Sequence, residues 1–388
     1  MRVMISCGEP SGDLYAGALA AEILKLDPSI TITGFGGDRL AAAGATLVEN
    51  FSGLSVTGLL EVVRLLPRTY ATYRRLVAEA ESSRPDVFVA IDFPDFNFAL
   101  ARALKKRGIP VVYYISPQLW AWRSGRMNTM RRVVDRVLVI FPFEEPIYRE
   151  AGVPVQWVGH PLLDVSPPSR SRDVFLRESG LDPLAPVVAL LPGSRTNELK
   201  EILPTLIAAA AKIRARVPSV QFIVARAPHL KDALFGPLHE LESTGAVVRR
   251  LEGQADDVLA AADVALVASG TVTVQAALHE CPMVVVYRLS ALTYRLGKPF
   301  VKVNTFAMAN LVAGRRVVPE LIQEAFTPDT VAAEALRVLT DPAYAARVRR
   351  DLRDVKGRLG DPGASRRAAA AVLDVARRSR AANSSAGG

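Results

Sequence analysis

The stretch Val87-Phe88-Val89-Ala90-Ile91-Asp92-Phe93-Pro94-Asp95-Phe96-Asn97 decides the fold of this chain. Five apolar residues, β-branched at Val87, Val89 and Ile91, read as a strand buried on both faces. A short polar turn then leads into a helical pattern, Phe98 to Arg107, as in a parallel βαβ unit. Ligands of such sheets bind outside the carboxyl ends of the strands, so the turn is the part to read chemically. Asp92 stands there ahead of any cap position and is the candidate general base, with apolar neighbours expected to raise its pKa toward the working range. Asp95 and Asn97 fit a helix cap as readily as a ligand contact.

The same unit recurs on both sides. Strand patterns at Val3–Cys7, Thr31–Gly34, Val111–Ile115, Val137–Phe141 and Val155–Val158 fill the first half, with a helix over Leu14–Leu26. A Pro/Ser/Arg stretch, Ser166 to Arg172, interrupts the series and reads as a linker. A second series follows: Val187–Leu191, Gln221–Ala225, Val247–Leu251, Val264–Ala268 and Met283–Tyr287, with helices over Leu199–Val217 and Val272–His279. The restart predicts a second domain, not one enlarged sheet. Helical patterns over Thr327–Leu339, Tyr344–Arg358 and Ser365–Arg380 complete the chain. At 388 residues, two domains are the natural division.

Three further turns stand at carboxyl ends. Gly8-Glu9-Pro10-Ser11-Gly12-Asp13 follows the first strand; its glycines permit a sharp turn, and the next helix offers N–H groups to an anion or hydroxyl. The alternative is a tight turn with Ser11 or Asp13 as a cap. Neither GxGxxG nor GxxxxGK[ST] occurs, which counts against dinucleotide and P-loop sites. Gly193-Ser194-Arg195 closes the first strand of the second series and enters a helix near Glu198, an arrangement suited to a diphosphate. Ser269-Gly270-Thr271, with Gln275 one turn on, repeats it, and the pair could hold one nucleotide between them.

Composition narrows the field. No stretch reaches the roughly 18 apolar residues of a spanning helix, and Met1–Cys7 runs as a strand into a turn instead of forming a secretory leader. Cys7 and Cys281 are isolated and read as reduced core thiols, consistent with a cytoplasmic setting. His229, His239 and His279 lack metal-ligand spacing, and His160 reads as a structural histidine. The net charge is +9, and the segment Ala346–Ala381 alone carries +7. With no recognition motif beside it, this basicity suits phosphates or anionic headgroups better than nucleic acid. Leu54–Leu66, apolar but for Glu61 and Arg64, fits a buried helix or a membrane-docking face. Trp120 and Trp122, in Ser116-Pro117-Gln118-Leu119-Trp120-Ala121-Trp122, fit a sugar or acyl contact as well as core packing.

Taken together the chain resembles the lipid-A-disaccharide synthase family of inverting two-domain glycosyltransferases. The resemblance spans nearly the whole chain: GEPSGD at 8–13, TGLLEV at 57–62, DVFVAIDFPDFN at 86–97, YYISPQLWAWR at 113–123, FPFE at 141–144, VGHP at 158–161, LLPGSR at 190–195, ASGT at 268–271, CPMVVVYR at 281–288 and NLVAGRRVVPELIQ at 310–323. It implies a GT-B architecture, two Rossmann-like, doubly wound parallel-sheet domains facing a cleft, with C-terminal helices.

On this basis residues 1–165 are expected to form the acceptor-side domain, 166–185 a linker and 186–343 the UDP-sugar domain. Residues 344–381 would be helices packing back on the first domain, and 382–388 a disordered tail. The implied reaction joins UDP-2,3-diacylglucosamine to 2,3-diacylglucosamine 1-phosphate (lipid X), giving a β-1,6-linked disaccharide 1-phosphate and UDP.

In that reaction Asp92 would deprotonate the acceptor hydroxyl. Arg195 and the helix N-termini would stabilise UDP without metal or cofactor. Asn310 and the Gln323 region would belong to the donor site, and Gly8–Asp13 would line the cleft. The acyl chains favour the docking reading of Leu54–Leu66 and a peripheral place on the inner membrane face. A homodimer by exchange of the C-terminal helices is one arrangement this architecture allows. The chain departs from the family at Gln275, where Glu is common and would accept from the ribose hydroxyls, and at Ala309, where Pro is common. The competing reading is another UDP-sugar enzyme of the same architecture, such as a UDP-N-acetylglucosamine 2-epimerase.

Overall fold

The computed structural model describes residues 1–51, 59–117, 119, 124–288 and 305–386, of which 59–65, 124 and 382–386 are described by their backbone alone. Two compact units divide the chain: Met1–Val165 together with the residues from Leu359 onward, and Ser166–Arg358.

The first unit is built on seven strands: β1 Arg2–Ser6, β2 Thr31–Gly36, β3 Thr46–Asn50, β4 Val87–Ile91, β5 Val111–Tyr114, β6 Arg136–Val139 and β7 Val155–Trp157. They pair in the order β3-β2-β1-β4-β5-β6-β7, every pair parallel. All five residues of β4 are buried, as a strand covered on both faces requires. From β1 the chain moves one way through β2 and β3, then returns to lay β4 on the other side. The order therefore reverses between β1 and β4.

The last helix, Ala364–Ala386, packs on the helix Pro10–Leu26 and on β4. Ala364, Ala368, Val372 and Ala376 form its fully buried stripe, four residues apart on one helix face. The segment before this helix is tied to the end of β7: the N–H of His160 donates to Leu359 O at 2.9 Å, and Arg367 Nε donates to Val158 O at 2.8 Å.

The second unit holds β8 Val187–Leu191, β9 Gln221–Arg226, β10 Val247–Glu252, β11 Val264–Ala268, β12 Met283–Tyr287 and β13 Glu320–Ile322. Their order is β10-β9-β8-β11-β12-β13, again parallel, and it reverses between β8 and β11. The helices Thr196–Arg216 and Pro328–Thr340 pack on each other. They share a core in which Leu206, Phe222, Leu266 and Val331 are fully buried.

The structure moves three boundaries. Residues 166–185 are not a bare linker: Arg172–Glu178 is a helix packed on Ala255–Ala261. Asp257 fastens the preceding turn, accepting from Ser169 N and Ser169 Oγ at 2.7 Å each. The helix Pro342–Arg358 stays with the second unit, packed on Met308–Ala313 and Val272–Leu278. Only the residues from Leu359 rejoin the first unit. Pro342 suggests a break, but at a first helical turn it removes no needed N–H; the break in packing comes at Gly360–Gly363. The expected disordered tail is helical through Ala386. No helix among the described residues is long and apolar enough to cross a membrane.

Candidate functional site

The two reversals of strand order locate the candidate site loops. Gly8–Asp13 follows β1 and Asp92–Asn97 follows β4, so both leave the first sheet at its reversal point. Crevices of this kind bind ligands in open α/β sheets.

The β4 turn is strained and held in place. Asp92 and Phe93 both take left-handed backbone, φ +45° each. That conformation costs roughly 1–2 kcal/mol per residue, though Asp tolerates it better than Phe. Asn97 offsets the cost. Fully buried, its amide reaches Ser6 O and Ile91 O at 3.2 Å and Asp92 O at 2.8 Å, while its own oxygen accepts from Ser6 Oγ at 2.7 Å. The Tyr113 hydroxyl donates to Asp92 O at 2.8 Å, and burial, with Asp92 nearby, raises its pKa so that it remains a donor. At about 1 kcal/mol net per bond, this network offsets a cost of similar size. Asp92 is thereby fixed, half-buried, at the end of β4.

Gly8 completes this corner. A Cβ there would lie 2.4 Å from the Phe93 ring, so glycine is what lets the β1 turn lie on the β4 turn.

Several expected ligand residues have other tasks. Asn97 is the clamp just described, buried away from any ligand. Asp13 caps a helix, but not its own: its carboxylate accepts from Gly37 N at 2.7 Å, Arg39 N at 3.0 Å and Leu40 N at 3.2 Å. It closes the start of the helix Asp38–Ala42 and is itself buried. Glu9 takes the N-cap position of Pro10–Leu26, with Ser11 half-buried and Gly12 buried in its first turn. Asp95 is exposed and ion-paired with Arg126. Trp120 and Trp122 lie outside the described residues, as do 54–58 of the apolar segment.

In the second unit, Gly193–Arg195 follows β8 and Ser269–Thr271 follows β11, again flanking the reversal point. Gly193 has φ +116°, and a Cβ there would lie 2.8 Å from Glu198 Oε2. Glu198 folds back over the turn and meets Arg195 Nη1 at 3.3 Å. Ser194 and Arg195 are exposed, with Ser194 O held by His229 Nε2 at 2.7 Å. Ser269 N continues the ladder to Val286 O at 2.9 Å, and Gly270 and Thr271 are exposed beyond it.

Gln275 Nε2 donates to Asp256 Oδ1 at 3.2 Å, and His279 Nε2 meets the same oxygen at 3.0 Å. Asp256 escaped sequence reading because 19 and 23 residues separate it from Gln275 and His279. Asn310, expected at the donor site, is a buried brace. Its amide donates to Val318 O at 2.9 Å and Glu320 Oε1 at 2.7 Å, and its oxygen accepts from Val317 N and Val318 N. Gln323 follows β13 in left-handed backbone, φ +54°, and is nearly buried.

Two doubly wound parallel sheets in one chain, each with exposed turns at its reversal point, define a GT-B-like glycosyltransferase fold. The calicheamicin glycosyltransferase CalG4 shares it, with a TM-score of 0.59 at 18% identity over 97% of this chain and 98% of that one. The UDP-GlcNAc 2-epimerase from Neisseria meningitidis shares it with a TM-score of 0.68 at 14% identity over 96% and 100%. These likenesses reach the fold alone.

Sequence relatives go further. The lipid-A-disaccharide synthetase family model matches residues 3–374. Lipid-A-disaccharide synthase from Geobacter sulfurreducens is 44% identical over 96% of this chain and 97% of its own length. The Myxococcus xanthus enzyme of that name is 42% identical over 96% and 97%. The chain belongs to the lipid-A-disaccharide synthase family.

Proposed function

We propose that the chain transfers the sugar of UDP-2,3-diacylglucosamine to 2,3-diacylglucosamine 1-phosphate, releasing UDP, with Asp92 as general base. The observation that carries the reading is the coincidence of full-length relatives named for this activity with a strained, clamped carboxylate at the strand-order reversal. Strained backbone persists where the surroundings over-determine it, and such positions gather at active sites. Asp92 takes the proton from the acceptor hydroxyl as that oxygen bonds to the anomeric carbon. The bond from that carbon to UDP breaks on the opposite face, and the configuration inverts. Glu9 and Ser11 are the acceptor-side contacts of the β1 turn.

The second unit would hold the donor. The Neisseria neighbour's bound UDP-GlcNAc supports a nucleotide-sugar reading of this fold. Arg195 at the start of the 21-residue helix Thr196–Arg216 offers a forked cation beside exposed Ser194, suited to a departing diphosphate. Gly270, Thr271, Gln275 and Gln323 are the remaining donor-side contacts.

Acyl substrates call for contact with a lipid surface, from the face of the membrane where UDP-sugars are made. Leu66 and Tyr70 are 56% and 61% exposed one turn apart on the helix Leu59–Ser83, and Arg74, one turn further along the same row, is exposed too. Exposed apolar side chains continued by a cation suit docking on an anionic membrane without crossing it. A homodimer by exchange of the last helix is tested by light scattering, and a monomer removes it.

Release of UDP from UDP-2,3-diacylglucosamine, measured in detergent with chelator, with and without acceptor, tests the reaction. Acceptor-dependent release that is lost in Asp92→Asn supports it. Release without acceptor points to the epimerase-like alternative, and no release with UDP still bound points to another sugar nucleotide.

A further inference from the structure

The second unit has a charged groove at the pole opposite its exposed turns. Arg315–Pro319 leads into the amino end of β13, whereas Gly193–Arg195 and Ser269–Thr271 leave carboxyl ends. Between that segment, the end of the helix Pro328–Thr340 and the start of Pro342–Arg358 lies a groove of about 430 Å³. This is within the size of small-molecule sites, roughly 300–1,000 Å³.

Four arginines line it: Arg315, Arg316, Arg337 and Arg347. Arg315 is gripped at both tips by Asp351, at 2.8 and 3.3 Å. Arg316 Nη2 donates to Glu320 O at 3.1 Å. The guanidiniums of Arg337 and Arg347 lie over the Tyr344 ring, 4.0 and 5.0 Å from its centre. Among the described residues neither has a carboxylate within ion-pair distance. With Glu334 as the one other lining carboxylate, the groove keeps a charge of +2.

An arginine held by an aromatic face keeps its N–H edge for another acceptor, and planar forks match phosphate oxygens. The tethered Arg315 and Arg316 lose little freedom on binding, because their partners already fix them. Carboxylate ligands would engage one fork each, whereas a phosphate presents enough oxygens for several.

We propose that this groove is a binding site for a phosphate-bearing ligand, distinct from the nucleotide-sugar contacts at the carboxyl ends of the same sheet. It rests on the four arginines and not on the reading of those turns. Occupancy at this pole would leave Arg195 and Thr271 untouched, which fits an effector or an anchoring headgroup and not a substrate.

The test uses the full chain and two probes. Pyrophosphate is titrated calorimetrically in saturating UDP, so that any nucleotide-site binding is suppressed. Flotation with phosphatidylglycerol vesicles is compared with phosphatidylcholine vesicles. The variants are Arg337→Gln/Arg347→Gln, which remove the charge while keeping helix propensity, and Arg350→Gln, an exposed arginine of the Arg347 helix outside the groove. Pyrophosphate binding that survives UDP, weakens at least tenfold in the double variant and is unchanged in Arg350→Gln assigns a soluble phosphate ligand. Phosphatidylglycerol-selective flotation with the same pattern, without pyrophosphate binding, assigns a headgroup. Binding of neither probe, or binding equal in the double variant and wild type, overturns the proposal. Circular dichroism of the double variant excludes loss of fold as the cause.

Discussion

The carboxylate of Asp164 accepts the backbone N–H of Gly363 at 2.5 Å, and that of Ser365 at 2.8 Å, across some 200 residues of intervening chain. It caps the last helix although the whole second unit, Ser166–Arg358, lies between them in sequence. Chain exit and chain return are thus fastened within the first unit by one side chain.

Replacing Asp164 with Ala removes both bonds and the negative charge at a helix N-terminus, a loss of about 2 kcal/mol. Amides of the helix from Ala364 to Arg380 should exchange with deuterium on the order of 30-fold faster. Amides of β8 and β11, in the other unit, should not change.

The two carboxylates of the β4 turn are expected to separate in function. Asp92→Asn removes the proposed base and should lower kcat about 10²–10⁴-fold. Asp95, exposed and paired with Arg126, should cost less than tenfold as Asp95→Asn, because exposed pairs contribute little. Steady-state UDP release separates them; equal losses would remove Asp92 from its role.

Gly8→Ala drives a methyl group into Phe93, a clash of the order of 1–3 kcal/mol that also disturbs Asp92 next to it. Phe93→Leu in the same chain should recover part of the stability and of kcat/KM. A double-mutant cycle measures that coupling, and strict additivity would mean the contact is unimportant.

Burial depresses the His160 imidazole to a pKa of about 3, and Nδ1 accepts from Leu162 N at 3.2 Å. The folded chain therefore keeps this ring neutral where the unfolded chain, near pKa 6.5, takes up a proton. The contribution is intact above pH 6.5 and is lost as pH falls, at about 1.4 kcal/mol per unit. Denaturant unfolding between pH 6.5 and 5 should show this slope in wild type. It should flatten in His160→Asn, whose oxygen can take the Leu162 N–H.

Gln275→Glu would set a carboxylate against Asp256, to which the Gln275 amide now donates. The expected cost is about 1–3 kcal/mol for the lost donor and the new repulsion. Asp256→Asn should reverse most of it, read by thermal unfolding. A stabilised single variant would mean that the Asp256 contact does not form in solution.

Much of this molecule can be read in its sequence. Val87–Ile91, Val187–Leu191, Val264–Ala268 and Met283–Tyr287 are strands at their expected bounds, because continuous apolar runs of that length have few other solutions. The turns after β1, β4, β8 and β11 stand out for the same reason. What stays hidden is long-range partnership. Asp13 looks like a cap for its own helix but serves one that starts 25 residues later. Asn97 and Asn310 look like ligand contacts because buried clamps and binding amides use the same residue type. Strands β3 and β13 are short edge elements without a fully apolar run, so their pairing decides them more than their composition.

The return of the last helix sets the order in which this chain can fold as it is made. The second unit is one continuous stretch, Ser166–Arg358, and is made whole before Leu359. The first unit is split around it and lacks its Ala364–Ala386 layer until that whole stretch has been made. Domains made first usually fold first; here residues 1–165 wait, with β4 and the Pro10–Leu26 helix uncovered, for a segment made after the second unit. A premature stop that spares every residue of the proposed chemistry would still leave its carboxylate on an unfinished sheet.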